Sequence, residues 1–409
     1  KIKPGAAVKV IGNVKFDTFA KENVLMVNDV NKTKLPERQD KAEEKRVELH
    51  AHSKMSALDG LAEIKDYVKT AARWGHKAVA LTDHGVVQGF PEFVEAAKDC
   101  KIKPIFGMEG YLMDDSVAET MKSGFKVKLP PPYHIIILAA TQEGIKNLYR
   151  LVSLSHIDYY YKRPRIPRAK LLELREGLIL GSACEAGELI KGIINDKTEE
   201  EIEKIAKFYD YLEVQPAKNN SFFLDKMPEK FKSRDDLIAL NKRIYELGKK
   251  LNIPVCATSD AHFVDPEDEI YRKILFAGQK YENIENSCTL FFPTTEDMLN
   301  EFSYFGAEAA REVVIVNPGK IADRIQEIIP IPKENAFPIM QGAEEKIKTM
   351  TIENALRIYG DPLPEIVQKR VDYELNCIIK NGFATLYLIA HELVKKSLND
   401  GYLVGSRGS

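Results

Sequence analysis

Seven short apolar runs, rich in β-branched residues, recur along this chain with helical patterns between them. The runs are RVELH, AVALT, PIFGM, HIIILAA, LILGS, YLEVQ and PVCATS. Between most of them lie LAEIKDYVKTAARWG, PEFVEAAKD, QEGIKNLYRLVSL, TEEEIEKIAKFY and DLIALNKRIYELGKKL, several opening on Asp or Thr and others ending at Gly or Asn-Ile-Pro, as helix caps do. Strand alternating with helix predicts an α/β chain with a parallel sheet. Seven strands with polar residues at their C-terminal ends favour a closed barrel over an open sheet.

Nine residues of metal-binding type sit at the ends of these runs: His50, His52, Asp59, His84, Glu109, His134, Cys184, Asp260 and His262. A parallel barrel brings the C-terminal ends of all its strands to one face, so residues more than two hundred positions apart would converge there on a polynuclear metal site. His50 and His52 flank Ala51, which in extended chain turns both imidazoles to one side, and Asp260 and His262 repeat the arrangement around Ala261. Three carboxylates, five imidazoles and one thiol favour zinc, manganese or iron over magnesium or calcium. A lone HxH is more often structural, and a Cys after an apolar run is usually a small buried hydrophobe. The repetition of the pattern outweighs that reading. His76, His156 and His391 are left as structural or surface residues.

The series HxH, a later Asp, TDHG, Glu, His, Cys and SDAH resembles the PHP (polymerase and histidinol phosphatase) superfamily, motif by motif across residues 46–263. The resemblance implies a distorted (β/α)7 barrel with a phosphoesterase site holding two or three divalent metals, in which Asp260 and His52 serve catalysis. Asp59 and Cys184, where many free-standing members have His, resemble the branch fused to bacterial replicative polymerases. The segment PTTEDMLNEFSYFGAEAAREVVIVNPGKIADRI and the later LPEIVQKRVDYELNCIIKNGFATLYLIAHELVKKSLNDGYLVGSRGS are similar to the C-family of replicative DNA polymerases, the α subunit of DNA polymerase III. The terminal GYLVGSRGS is closest to the PolC type. A barrel preceded by part of an OB fold and followed by the helical start of a polymerase palm is therefore expected. The resemblance further implies primer–template DNA, dNTPs and a sliding clamp as partners, magnesium for polymerisation in palm sequence beyond Ser409, and a bacterial cytoplasmic setting.

The expected divisions are an OB-fold remnant at 1–35, a charged linker at 36–46, the barrel with its helical extension at 47–329, and the start of the palm at 330–409. A length of 409 residues fits two or three domains. The net charge of −2 counts against strong DNA binding by this stretch alone. Five cysteines without a CxxC predict no disulfide framework, and no apolar run is long enough to cross a bilayer. The start without Met and the stop inside a glycine-rich motif suggest part of a longer protein.

Three further segments carry expectations. Residues 113–131 lack apolar periodicity and are expected to form an exposed loop, the place where PolC-type enzymes carry an inserted exonuclease, of which no acidic DxE motif is present. The loop DYYYKRPRIPRAK offers Lys162, Arg163, Arg165 and Arg168 to nucleic-acid phosphates, with tyrosines for stacking, or else is a solvated turn. Gly405, Ser406, Arg407, Gly408 and Ser409 are expected to cradle a nucleotide triphosphate. The alternative to a polymerase fragment is a free-standing PHP phosphatase, which would not need the roughly 140 residues after the barrel. A third reading leaves the metal site purely structural.

Overall fold

The protein was analysed as a computed structural model, which describes residues 7–33, 37–123, 128–279, 290–332 and 338–405. It divides into two compact units, residues 1–331 and 332–409.

In the first unit, β1 (Val8–Asp17) and β2 (Glu22–Lys32) form an antiparallel hairpin. The ribbon exposes apolar side chains on both faces, with Val14, Phe16, Leu25 and Val27 open on one and Met26 on the other. Residues 37–46, expected as a linker, are instead docked on the barrel. Arg38 donates to the carbonyls of Val264 (3.2 Å) and Phe292 (3.0 Å). Asp40 pairs with His76 Nε2 at 3.0 Å and accepts the Thr295 amide at 2.8 Å. Arg46 is fully buried against Glu48. Charge density in the sequence suggested solvation; here Arg38, Asp40 and Arg46 have fixed partners.

The barrel is built from seven staves, which are the seven apolar runs. Residues 47–51 form the first, with β3 (Ala78–Leu81), β4 (Lys103–Met113), β5 (Tyr133–Ala139), β8 (Leu178–Gly181), β9 (Leu212–Val214) and β10 (Val255–Ala257) following. A short hairpin, β6 (Tyr160–Tyr161) and β7 (Arg163–Pro167), adds β7 beside the end of β4. Ladders join β3 to β4, β4 to β5, β5 to β8 and β9 to β10. Single bridges complete the ring: Glu48↔Val79, Gly181↔Tyr211 and Ala51↔Ala261. The all-parallel expectation fails at one stave, because β5 runs antiparallel to both β4 and β8. The reversal moves His134 to the start of its strand, and the start of a reversed strand meets the rim where the others end.

Residues 115–122 form a helix, not the expected irregular loop. Ala118, with Val117 and Met121, packs on Met113 and Tyr159. These three apolar residues make a stripe only one turn long, too short to register as periodicity. The rest of the expected loop through 127 lies outside the described residues from 124 on. The strands on either side, β4 and β5, are paired.

The described residues of the second unit form three helices, Ala343–Tyr359, Glu365–Lys380 and Ala384–Asn399. Its core is small: Ala343, Ile347, Ala384 and Leu388 with Met350 and Ile378. Among the described residues no helix is long and apolar enough to cross a membrane.

Candidate metal centre

The side chains of the centre come from the barrel rim. On β4, Glu109 and Tyr111 share a face by strand alternation, and Ile136 and His134 stand opposite them on β5. Glu109 is the hub. Its Oε1 lies 2.7 Å from His134 Nδ1 and 3.5 Å from His50 Nε2. Its Oε2 lies 2.6 Å from His84 Nδ1 and 3.6 Å from His52 Nε2. Asp260 Oδ1 is 3.2 Å from both His50 Nε2 and His52 Nε2. Asp59 Oδ2 faces His84 Nε2 at 3.3 Å and His262 Nε2 at 3.6 Å. Cys184 Sγ is 3.4 Å from both Glu109 Oε1 and His134 Nδ1. All nine predicted residues thus meet at one place.

Donor atoms converge in three overlapping groups, each within 4.8 Å: His52, His84 and His262; His50, His52 and Glu109; and His84, Glu109 and His134. His84 Nδ1, Glu109 Oε2, Asp260 Oδ1 and His262 Nε2 are buried without a hydrogen bond. Buried polar atoms are ordinarily paired. Imidazole nitrogens and carboxylate oxygens crowded together out of water in this way suit divalent metal ions, which would replace the imidazole protons. Two of the positions are also strained, since Asp260 and Ala183, the neighbour of Cys184, have φ of 55° and 59°, a region costly for residues with a Cβ.

The electrostatics follow from packing carboxylates and imidazoles together out of water. Burial opposes charge on His50, but Asp260, Glu213 and Glu109 outweigh it and push its pKa up to about 10. Burial likewise opposes charge on His84, yet Glu109 and Asp59 raise it to about 10. His52 goes the other way, down to about 3, because burial is reinforced by His84 and His262. Burial would raise Glu109, but His134, His84 and His50 hold it well below the usual carboxylate range. Burial, with Glu185 and Glu109 nearby, pushes the Cys184 thiol well above its ordinary value.

Several supporting residues carried no clear motif. Glu213 Oε2 binds His50 Nδ1 at 2.9 Å and accepts Thr258 Oγ1 at 2.7 Å. Ser56 Oγ meets His52 Nδ1 at 2.9 Å and donates to Asp83 at 2.7 Å. Arg272 clamps Asp59 Oδ1 from the helix Glu269–Gly278. The one available signal was Glu213 itself, a carboxylate in the middle of the apolar run YLEVQ.

The basic loop splits. Arg165 is 3% exposed and donates to the carbonyls of Pro130 (2.7 Å) and Tyr161 (3.3 Å). Arg168 pairs with Glu188 at 2.6 Å. Lys162 and Arg163 remain exposed. Gly405 is exposed, and Ser406, Arg407, Gly408 and Ser409 lie outside the described residues. Of the other histidines, His76 is buried on Asp40, while His156 and His391 are exposed.

Residues 48–217 match the PHP domain family, and residues 345–409 match the bacterial DNA polymerase III alpha NTPase domain. Over its full length the chain is 37% identical to the DNA polymerase III PolC-type of Clostridium perfringens and 33% identical to that of Bacillus subtilis. Over its whole length the chain thus matches part of PolC-type DNA polymerase III. It spans 41% and 42% of the length of these two PolC-type relatives. The alignment with the Clostridium protein runs over 597 positions for the 409 residues here, so at least 188 of its positions have no counterpart in this chain. Among solved structures, a two-domain protein containing a predicted PHP-like metal-dependent phosphoesterase from Bacteroides vulgatus is 14% identical with a TM-score of 0.31, covering 56% of this chain and 57% of its own. That likeness is too slight to bear on function.

Proposed function

We propose that this chain is the PHP-bearing part of a replicative DNA polymerase, and that its barrel centre binds two or three zinc, manganese or iron ions and hydrolyses phosphoesters. The observation that carries the second part is the overlap of the three donor groups. His52, His84 and Glu109 each belong to two of them, as bridging between neighbouring ions requires. Bound ions would polarise a phosphoryl oxygen and lower the pKa of water.

The chain's own residues do the rest. Glu109, lying against four imidazoles, fixes their mutual spacing. Glu213 and Ser56 orient His50 and His52 through their far nitrogens, leaving both Nε2 atoms turned inward. Asp260 Oδ1, within 3.2 Å of both Nε2 atoms and without a hydrogen bond, is placed to accept a proton at the reacting face.

The polymerase reading rests on the full-length likeness to PolC-type enzymes and on the match of residues 345–409 to the polymerase alpha domain. It implies primer–template DNA and dNTPs as substrates, magnesium in a palm, a sliding clamp as partner and a cytoplasmic setting. The same match disfavours a free-standing phosphatase.

The test is metal analysis of protein purified without chelator, followed by hydrolysis of bis(p-nitrophenyl) phosphate. At least one equivalent of zinc, manganese or iron is expected, with weak hydrolysis that EDTA, His52→Ala and Asp260→Asn each abolish. Hydrolysis that survives all three belongs to another site. Bound metal without hydrolysis leaves the structural reading.

A further inference from the structure

Tyr111 stands two residues beyond Glu109 on β4, on the same face and one step nearer the rim. Its ring centroid lies 5.2 Å from that of His134 and 6.1 Å from that of His84. Arg163 lies over this ring, with Cζ 5.1 Å from the centroid and Nη1 2.5 Å from the hydroxyl. The turn that places it is specific. Lys162 takes φ of 61° between β6 and β7, and Pro164 fills the space over Gly85, where an added Cβ would sit 2.6 Å from Pro164 and 3.2 Å from Tyr111.

Cations near the centre are otherwise committed. Arg272 holds Asp59, Arg168 holds Glu188, and Arg165 caps backbone carbonyls. Arg163 has a phenol hydroxyl as its hydrogen-bond partner and no carboxylate within ion-pair distance among the described residues. An exposed guanidinium fork is thus held one aromatic ring away from the histidines that grip Glu109. That fork matches two oxygens of a phosphate at once.

We propose that Arg163 is the substrate-anchoring residue of the barrel centre: it holds the nonbridging oxygens of a phosphate ester, and Tyr111 sets its distance from His84 and His134. This rests on the phosphoesterase reading above for its setting. The ester belongs to a mononucleotide or to a nucleic-acid strand. Lys162 and the exposed Tyr160 continue the cationic, aromatic strip outward along the hairpin.

The test measures binding of inorganic phosphate to the metal-loaded chain by calorimetry. Arg163→Met is expected to weaken it about tenfold or more, the loss of a charge-assisted contact. Arg163→Lys, which keeps the charge without the fork, falls between, and both variants keep wild-type metal content and melting temperature. Equal phosphate affinity in Arg163→Met and wild type overturns the proposal, as does absence of phosphate binding by the metal-loaded wild type. Arg163-dependent phosphate binding without hydrolysis of bis(p-nitrophenyl) phosphate supports the anchor while removing the hydrolytic reading. Thymidine 5′-monophosphate and a 5′-phosphorylated oligothymidylate then separate the sources. Tighter oligonucleotide binding that Lys162→Ala reduces supports a strand; equal affinities support a mononucleotide.

Discussion

His50 and Glu213, 163 residues apart, meet at 2.9 Å inside the barrel with neither side chain exposed. The carboxylate accepts the Nδ1 hydrogen, which turns Nε2 of His50 toward His52, Asp260 and Glu109, where a bound metal ion would displace its proton. Glu213→Gln is therefore expected to weaken metal binding by roughly 10- to 100-fold with the fold retained. Competition against a chromogenic chelator measures this. Unchanged affinity would mean that His50 keeps its tautomer without help.

Metal binding should stabilise the first unit, increasingly as free metal rises. At free metal one hundred times the dissociation constant, linkage gives about 2.7 kcal/mol. The melting temperature of the zinc- or manganese-loaded chain should exceed that of the EDTA-treated chain and rise with metal concentration. Coincident melting curves would contradict a metal centre.

Burial alone would raise the Asp40 carboxyl, but His76, Thr295 and Lys45 outweigh it and hold it well below the usual range. A depressed folded-state pKa gives stability that is present above the unfolded value and lost as pH falls through the folded one. Asp40→Asn should therefore cost stability, about 3 kcal/mol for a broken buried pair, near pH 6. The gap between variant and wild type should close as pH drops below about 4. Urea unfolding at a series of pH values checks both the size and the sign.

Arg165 and Lys162, three positions apart, should respond oppositely to truncation. Arg165→Ala removes buried hydrogen bonds to Pro130 and Tyr161 and should cost roughly 1–3 kcal/mol. Lys162→Ala should stay within about 0.5 kcal/mol. Thermal unfolding of the two variants distinguishes a structural arginine from a surface lysine.

The staves and the nine side chains of the centre were legible because both obey local rules: apolar runs of strand length, each with a polar residue at its edge. Strand direction was not legible. Nothing in YHIIILAA marks it as running backwards, and only pairing with Gly107–Leu112 and Leu178–Gly181 fixes that. The docking of residues 37–46 escaped for a related reason. Arg38, Asp40 and Arg46 look like a solvated charge run until Phe292 and Thr295 arrive from elsewhere in the chain. Glu213 and Arg272 were missed because each acts through another residue, so its role exists only in three dimensions. The helix at 115–122 is decided by Tyr159 and Leu154 packing on it.

Where residue 51 meets residue 261, the wall of the barrel is joined by one bridge and not by a ladder. His50 and His52 stand on one side of that joint, Asp260 and His262 on the other. The His52 and His262 rings stack across it with centroids 4.3 Å apart, and Asp260 reaches both His50 and His52. A seam of single-bridge thickness in the backbone is therefore densely laced by chemistry-bearing side chains. Whatever occupies the space between them also acts as the clasp of the barrel, and the first and last staves are fastened or freed together with it.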